Sequence, residues 1–232
     1  RETVKVLQRV GYLSEQREMP DWMRIDELLR YTQAFHPTWD MQYARQLLDT
    51  FGLDPAKKVG GLSQGMRAQT GIVVAVAHRP ELLILDEPSS GLDAVVRQDI
   101  LDAILRTVAD DGRTVIFSSH LLDEVERMSD RVTMIHAGKV ALDGARDDIC
   151  ASHHVTQLRF AERLDRLPPL DGVLKAAGAA RAWSVVHGTP VEALAAATAK
   201  LGGEIAESRN ATLEEIFVAR VGRSGAPAAE AA

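Results

Sequence analysis

The chain is short of cysteine, of lysine and of long apolar runs, and each shortage excludes something. A single cysteine, Cys150, in 232 residues leaves no internal disulfide and fits a reducing compartment. No apolar run approaches the roughly 20 residues that a membrane-crossing helix needs; the densest, Ile72 to Ala77, is six long. The opening stretch "RETVKVLQRVGYL" lacks the greasy core of a secretory signal. Basic residues do not predominate: 27 Lys and Arg face 33 Asp and Glu, a net charge of −6, so the footprint of a nucleic-acid binder is missing. Lysines number only six, at 5, 57, 58, 139, 175 and 200. Only Lys139 follows a glycine, and Val140 comes next, so the phosphate-cradling loop G-x-x-x-x-G-K-S/T does not occur.

What is present is a globular composition, 46% hydrophobic and 26% charged. "VGYL" at Val10 to Leu13 reads as a strand. "IDELLRYTQAF" and "MQYARQLLDTF" read as a helix pair over about 25–52, broken at "HPTWD", with Thr38 or Asp40 as cap and Gly52 as stop. A helix follows Ser63 to about His78, closed by Pro80. "LLILD" and "TVIFSS" are apolar on both faces, as strands buried between helix layers are, and residues 94–109 form a helix between them. Strand and helix alternating in this order imply an α/β fold with a parallel sheet. "LLDEVERMSD" is helical, and "RVTMIHAGKVALDG" is a hairpin turning at Ala137-Gly138. From Ala145 the texture changes: a short helix over Arg146 to His154, strands at "VTQLRF" and "RAWSVVHG", a helix at "VEALAAATAKLG", and a closing helix capped by Thr212 with Glu215 at the capping-box position. This predicts a small α+β extension over 145–222 and a disordered tail over 223–232.

Ligands of open parallel sheets bind beyond the carboxyl ends of the strands. "LLILDE" puts Asp86 and Glu87 at such an end. The first carboxylate can hold Mg²⁺ and the second can orient or deprotonate a water. "SSH" brings His120 to the same edge. "LSQGM" opens a helix, where Ser63 and Gly65 can serve as a simple cap or, with the backbone N–H groups, as a phosphate site. "SSGLD" follows the acidic strand.

The four motifs, in the chain order LSQGM, LLILDEP, SSGLD and SSH, resemble those of the ATP-binding subunit of ABC transporters of the bacterial exporter type. "LSQGM" resembles the signature motif, "LLILDEP" the Walker B strand with its catalytic glutamate, "SSGLD" the D-loop, "SSH" the switch histidine and "VGYLSEQ" the Q-loop strand. The resemblance covers about residues 4–144, a P-loop NTPase-like domain whose helical subdomain spans about 20–78; "ATLEEIFVARVG" is similar to the family's C-terminal extension. It implies ATP and Mg²⁺ as cofactors, with Asp86 on the metal, Glu87 as general base and His120 at the γ-phosphate. It implies that Ser63, Gln64 and Gly65 grip the γ-phosphate held by a second subunit in a head-to-tail dimer, with Asp93 acting across that interface. Glu15 or Gln16 stands at the Q-loop position. Membrane-spanning permease subunits are the implied partners, with "MPDWMRIDELL" near their contact, no nucleic acid is involved, and the implied place is the cytoplasmic face of the membrane. The signature keeps its serine and second glycine and departs elsewhere. The missing lysine loop reads as an N-terminal truncation, leaving a chain that binds ATP poorly and does not turn it over. The competing readings are a non-catalytic ABC module and a non-transport ABC ATPase; the tandem cassettes or coiled-coil insertion of the latter are not seen.

Overall fold

The computed structural model describes residues 2–222, apart from the side chains of 107–111. The tail expected to be disordered, 223–232, lies outside the described residues. The chain divides into two compact units, one ending at His120 and one beginning at Leu121.

The first unit is built on a parallel sheet of three strands in the order β1 (Val10–Leu13), β2 (Leu82–Asp86), β3 (Thr114–Ser118). The register aligns Leu13 with Leu85 and Phe117, and Asp86 with Ser118, so all three carboxyl ends open on one edge. A short helix, α1 (Glu2–Leu7), leads into β1. The helix pair is α2 (Ile25–Gln33) and α3 (Met41–Thr50), followed by α4 (Gln64–Val76) and, after β2, α5 (Ala94–Asp111). Asp40, and not Thr38, caps α3, accepting from Tyr43 N–H at 2.8 Å. Thr38 is used differently: its hydroxyl donates to the His78 carbonyl at 2.7 Å. Helix α4 stops at Val76, two residues short of the expected end, as the chain turns at Arg79 with φ +55°.

One sheet face is packed and the other is open. Leu83 and Leu85 are buried, and α4 packs over β1, its Ala75 carbonyl lying so near Gly11 that a Cβ there would collide with it. The helix pair closes its own core with α4: Ile25, Leu29, Ala44, Leu48, Leu53, Val73 and Ala77 are buried together, with Trp39 and Phe51 against them. The opposite face carries Tyr12, Ile84 and Ile116 in one register row; Tyr12 is 60% exposed and Ile116 56%.

The second unit holds α6 (Leu122–Met128), the hairpin β4 (Arg131–His136) and β5 (Lys139–Ala145), and α7 (Arg146–Ala151). Ala137 and Gly138 both have positive φ, as a two-residue hairpin turn demands. An antiparallel sheet follows in the order β7–β6–β8, from β6 (His154–Leu164), β7 (Val173–His187) and β8 (Gly203–Asn210), with α8 (Val191–Lys200) before β8 and α9 (Leu213–Val221) after it. Leu158, Phe160, Trp183, Val185 and Leu194 make one core here; Val132, Met134, Ile149, Val155, Leu213 and Ile216 make another. Strand β8 is absent from the sequence reading, because "GEIAESRN" is an exposed, polar edge strand held by its ladder to β6. The closing helix has the capping box as expected: Thr212 Oγ1 accepts from Glu215 N–H, and Glu215 accepts from Thr212 N–H. The Arg209 guanidinium, beside Glu215, holds its carboxyl down at about 2.

Candidate active site

Strand β2 delivers Asp86 as its last residue, and the chain then enters the left-handed region at Glu87 with φ +46°. A β-extended continuation would swing Glu87 away; the positive φ is costly for a residue with a side chain and persists where surroundings enforce it. The enforcing contact comes from β3. Ser118, aligned with Asp86, donates its hydroxyl to Asp86 Oδ1 at 2.7 Å and accepts from Glu87 N–H at 3.0 Å. One hydroxyl thus ties both acidic residues to the neighbouring strand. His120, two residues on, places Nδ1 2.8 Å from Glu87 Oε2. The Glu87 side chain is 19% exposed and the His120 ring 64%. In the tautomer that donates from Nδ1, His120 turns an acceptor Nε2 outward; protonated, it presents a donor there.

Asp86 and Ser118 are exposed at the strand ends. Their oxygens are the hard donors that Mg²⁺ takes, and Mg²⁺ is commonly held by one or two carboxylates together with substrate phosphates. Among the described residues no group of three or more His, Cys, Asp and Glu is placed to hold a metal without such help. The exposed Asp86 carboxylate and Ser118 hydroxyl have the donor chemistry that such a cation takes.

The signature residues form a second cluster. Ser63 caps α4, accepting from Met66 N–H at 3.2 Å, and Ser63 and Gln64 are exposed. A Cβ on Gly65 would sit 3.0 Å from Val96 Cγ1, a tight contact that would require the Val96 side chain to give by a few tenths of an ångström. Gln64 Oε1 lies 3.5 Å from where a Cβ on Gly91 would be. Asp93 caps α5, its Oδ1 accepting from Val95 and Val96 N–H at 3.0 and 3.1 Å. Ser63, Gln64 and Gly65 share no hydrogen bond with Asp86, Glu87 or His120. The two clusters are joined along the chain by Pro88–Leu92, whose turns are closed by Ser90 N–H to Glu87 O and Leu92 N–H to Ser89 O.

Glu15 and Gln16 sit exposed at the corners of a turn just beyond β1, closed by Arg17 N–H to Ser14 O at 3.1 Å. Two residues escaped the sequence reading. Ser118 was visible only as part of "SSH"; the parallel register makes it the partner of Asp86. Arg17 follows the turn and is buried at 7% exposure, with Nη2 donating to Pro88 O at 3.1 Å and Ser90 O at 2.8 Å. Burial lowers the pKa of its guanidinium, against the opposing pull of Glu15.

A parallel sheet whose carboxyl edge presents two successive carboxylates and a histidine is of the α/β class that binds ligands beyond its strand ends. Comparison with known proteins gives the family. The ABC transporter family model matches residues 1–90. The ABC transporter ATP-binding protein NatA of Bacillus subtilis is 30% identical over 166 residues, covering 69% of this chain and 67% of NatA. YtrB, an ABC transporter ATP-binding protein of the same organism, is 27% identical over 226 residues, covering 94% of this chain and 75% of YtrB. A solved ATP-binding subunit of an ABC transporter superposes with a TM-score of 0.58 at 27% identity, covering 64% of each chain. The chain belongs to the ABC transporter ATP-binding protein family. It spans less than half the length of some other relatives, 46% and 45% in two cases.

Proposed function

We propose that the chain is an ATP-binding and ATP-hydrolysing subunit that powers an ABC-type membrane transporter, and that these 232 residues, which contain no lysine loop, do not turn ATP over unaided. The observation that carries this reading is the hydrogen-bonded series Asp86–Ser118–Glu87–His120 on one sheet edge. In it Asp86 is the residue for the Mg²⁺ that accompanies ATP, a cation that would offset phosphate charge. Glu87 takes the proton of the attacking water. His120 meets the γ-phosphate through its outward ring edge. Phosphoryl transfer asks mainly for positioning and charge stabilisation, which such a frame supplies. Glu15 or Gln16 completes the approach from the neighbouring strand end.

The exposed start of α4 faces a second subunit in a head-to-tail dimer, with Ser63, Gln64 and Gly65 binding the partner's γ-phosphate and Asp93 bordering that interface. Membrane-spanning permease subunits are the other partners, met through the stretch around the exposed Trp22, which fixes the chain at the cytoplasmic face of the membrane. Residues 1–144 are the cassette and 145–222 the C-terminal extension.

The test is reconstitution. The chain alone shows no Mg²⁺-dependent ATP turnover; co-expression with a segment carrying G-x-x-x-x-G-K-S/T yields turnover that Glu87→Gln abolishes. A soluble, associated pair with no turnover would sink the hydrolytic reading. Turnover by the chain alone, lost in Glu87→Gln, would overturn the claim that it needs the loop.

A further inference from the structure

We infer that Arg17 is a positioning residue that ties the turn after β1 to the loop after β2, so that Glu15 and Gln16 cannot move without moving the Glu87–Asp93 segment. The inference rests on the hydrolytic reading for its functional meaning, though its structural content stands separately.

Three observations meet at this residue. First, a single nitrogen, Nη2, donates to the carbonyls of both Pro88 and Ser90, at 3.1 and 2.8 Å. Those carbonyls belong to the turn in which Ser90 N–H bonds Glu87 O. Within the same segment Leu92 N–H bonds Ser89 O, and Glu87 at its head holds a positive φ. Tying two of its carbonyls to one cation adds to these turns an anchor from the neighbouring strand end.

Second, Arg17 is buried although it lies in a connection, and its Nε has no partner. A surface arginine would leave such a place for water, since burying a guanidinium with an unmet donor is unfavourable. Its retention requires that the two carbonyl bonds compensate, and removing the cation takes this donor from the buried Pro88 carbonyl and the half-buried Ser90 carbonyl.

Third, Arg17 has φ +51°, so the backbone turns sharply at the residue that reaches across to β2. The Ser14–Arg17 turn directs Glu15 and Gln16 outward while the next side chain goes inward. One turn therefore exposes two polar residues to a ligand and anchors the third beneath the loop that bears Glu87. A ligand contact at Glu15 or Gln16 would be felt at Pro88 and Ser90 through about one side chain's length of rigid connection.

The test uses the ¹⁵N-labelled 232-residue chain without nucleotide, as wild type, Arg17→Lys and Arg17→Met, with Glu87→Gln as reference. Amide exchange is read at Ser90 and Leu92, and the ring nitrogen signals of His120 report its bond to Glu87. Both Arg17 variants are expected to speed exchange at Ser90 and Leu92 by about tenfold or more, the methionine more than the lysine. They are also expected to move the His120 Nδ1 signal toward its position in Glu87→Gln, leaving α4 and β6 amides at wild-type rates. A merely structural arginine would raise exchange uniformly through α4 and β2 and leave the His120 signal in place; that result, or wild-type behaviour at all sites, overturns the inference. Should Arg17→Met not fold, the lysine variant carries the same readouts. Because no ATP is present, a chain that fails every turnover assay and passes this one loses the hydrolytic reading and keeps the coupling.

Discussion

Glu87 is asked to do two incompatible things: supply a carboxylate at the sheet edge and adopt a backbone conformation that suits glycine. Removing the side chain should relieve the second at the expense of the first. Glu87→Gly is expected to match or exceed wild type in unfolding free energy, by up to about 1 kcal/mol. Glu87→Val, β-branched at the same positive φ, is expected to lose at least about 1 kcal/mol. Urea unfolding of the pair reads the difference, and equal midpoints would mean that the strain is not felt. At this scale the sequence was most informative where chemistry coincides with a strand end. Asp86, Glu87 and His120 are legible because apolar runs terminate on them. Ser118 and Arg17 were not, because their importance comes from register and from where a turn sends a side chain, and neither is written in local pattern.

Elements are held to one another by contacts that the periodicities do not encode, and the attachment of the helix pair is the clearest case. The connection between α2 and α3 is clasped to the end of α4 by Thr38 Oγ1 to His78 O, by Asp40 N–H to Ala77 O and by the Arg79–Asp40 pair, with Arg79 3.6 Å from the Tyr43 ring centre. His78 lies against His36 with ring centres 3.9 Å apart and bonds the Val10 carbonyl through Nε2 at 3.2 Å. Burial, then His36 and Arg113, push the His78 pKa down to about 4, and burial also lowers that of His36. Above pH 6.5 both folded and unfolded His78 are neutral and it contributes no pH dependence. As pH falls from about 6.5 to about 4 the unfolded chain takes the proton and the folded one does not, so stability drops, by roughly 3 kcal/mol from this residue, and levels below that. His78→Gln is expected to flatten that part of a urea-midpoint profile between pH 7.5 and 4; an unchanged slope would assign the pH dependence elsewhere. The helix pair itself was legible from its apolar spacing and caps. Strand β8 was not: only Ile205 is a large apolar residue in it, and its conformation comes from pairing with β6.

Across the whole molecule, the least usual feature is the bare side of the parallel sheet. Such sheets ordinarily carry cover on both faces, and here Tyr12 and Ile116 stand largely in solvent. ANS should therefore fluoresce with the natively folded chain, and Tyr12→Lys with Ile116→Lys should reduce that signal by more than half with at most about 0.5 kcal/mol change in stability, since both are surface sites. No ANS signal before unfolding would show the face to be covered. The same exposure leads us to expect a broad, weakly cooperative melt, and a sharp one would count against it. The change of texture at Ala145 is real in composition, yet the hairpin β4–β5 packs its Val132 and Met134 with Ile149, Leu213 and Ile216, downstream of it. Alternating residues announce a hairpin without saying which core it will serve.

The shared hydroxyl of Ser118 has a final consequence. A single atom braces the proposed cation ligand and the backbone of the proposed base, so neither can be adjusted in isolation. Evolution at that serine would retune both at once, and a chain that lost it would be expected to surrender metal and water handling together, as one inherited defect.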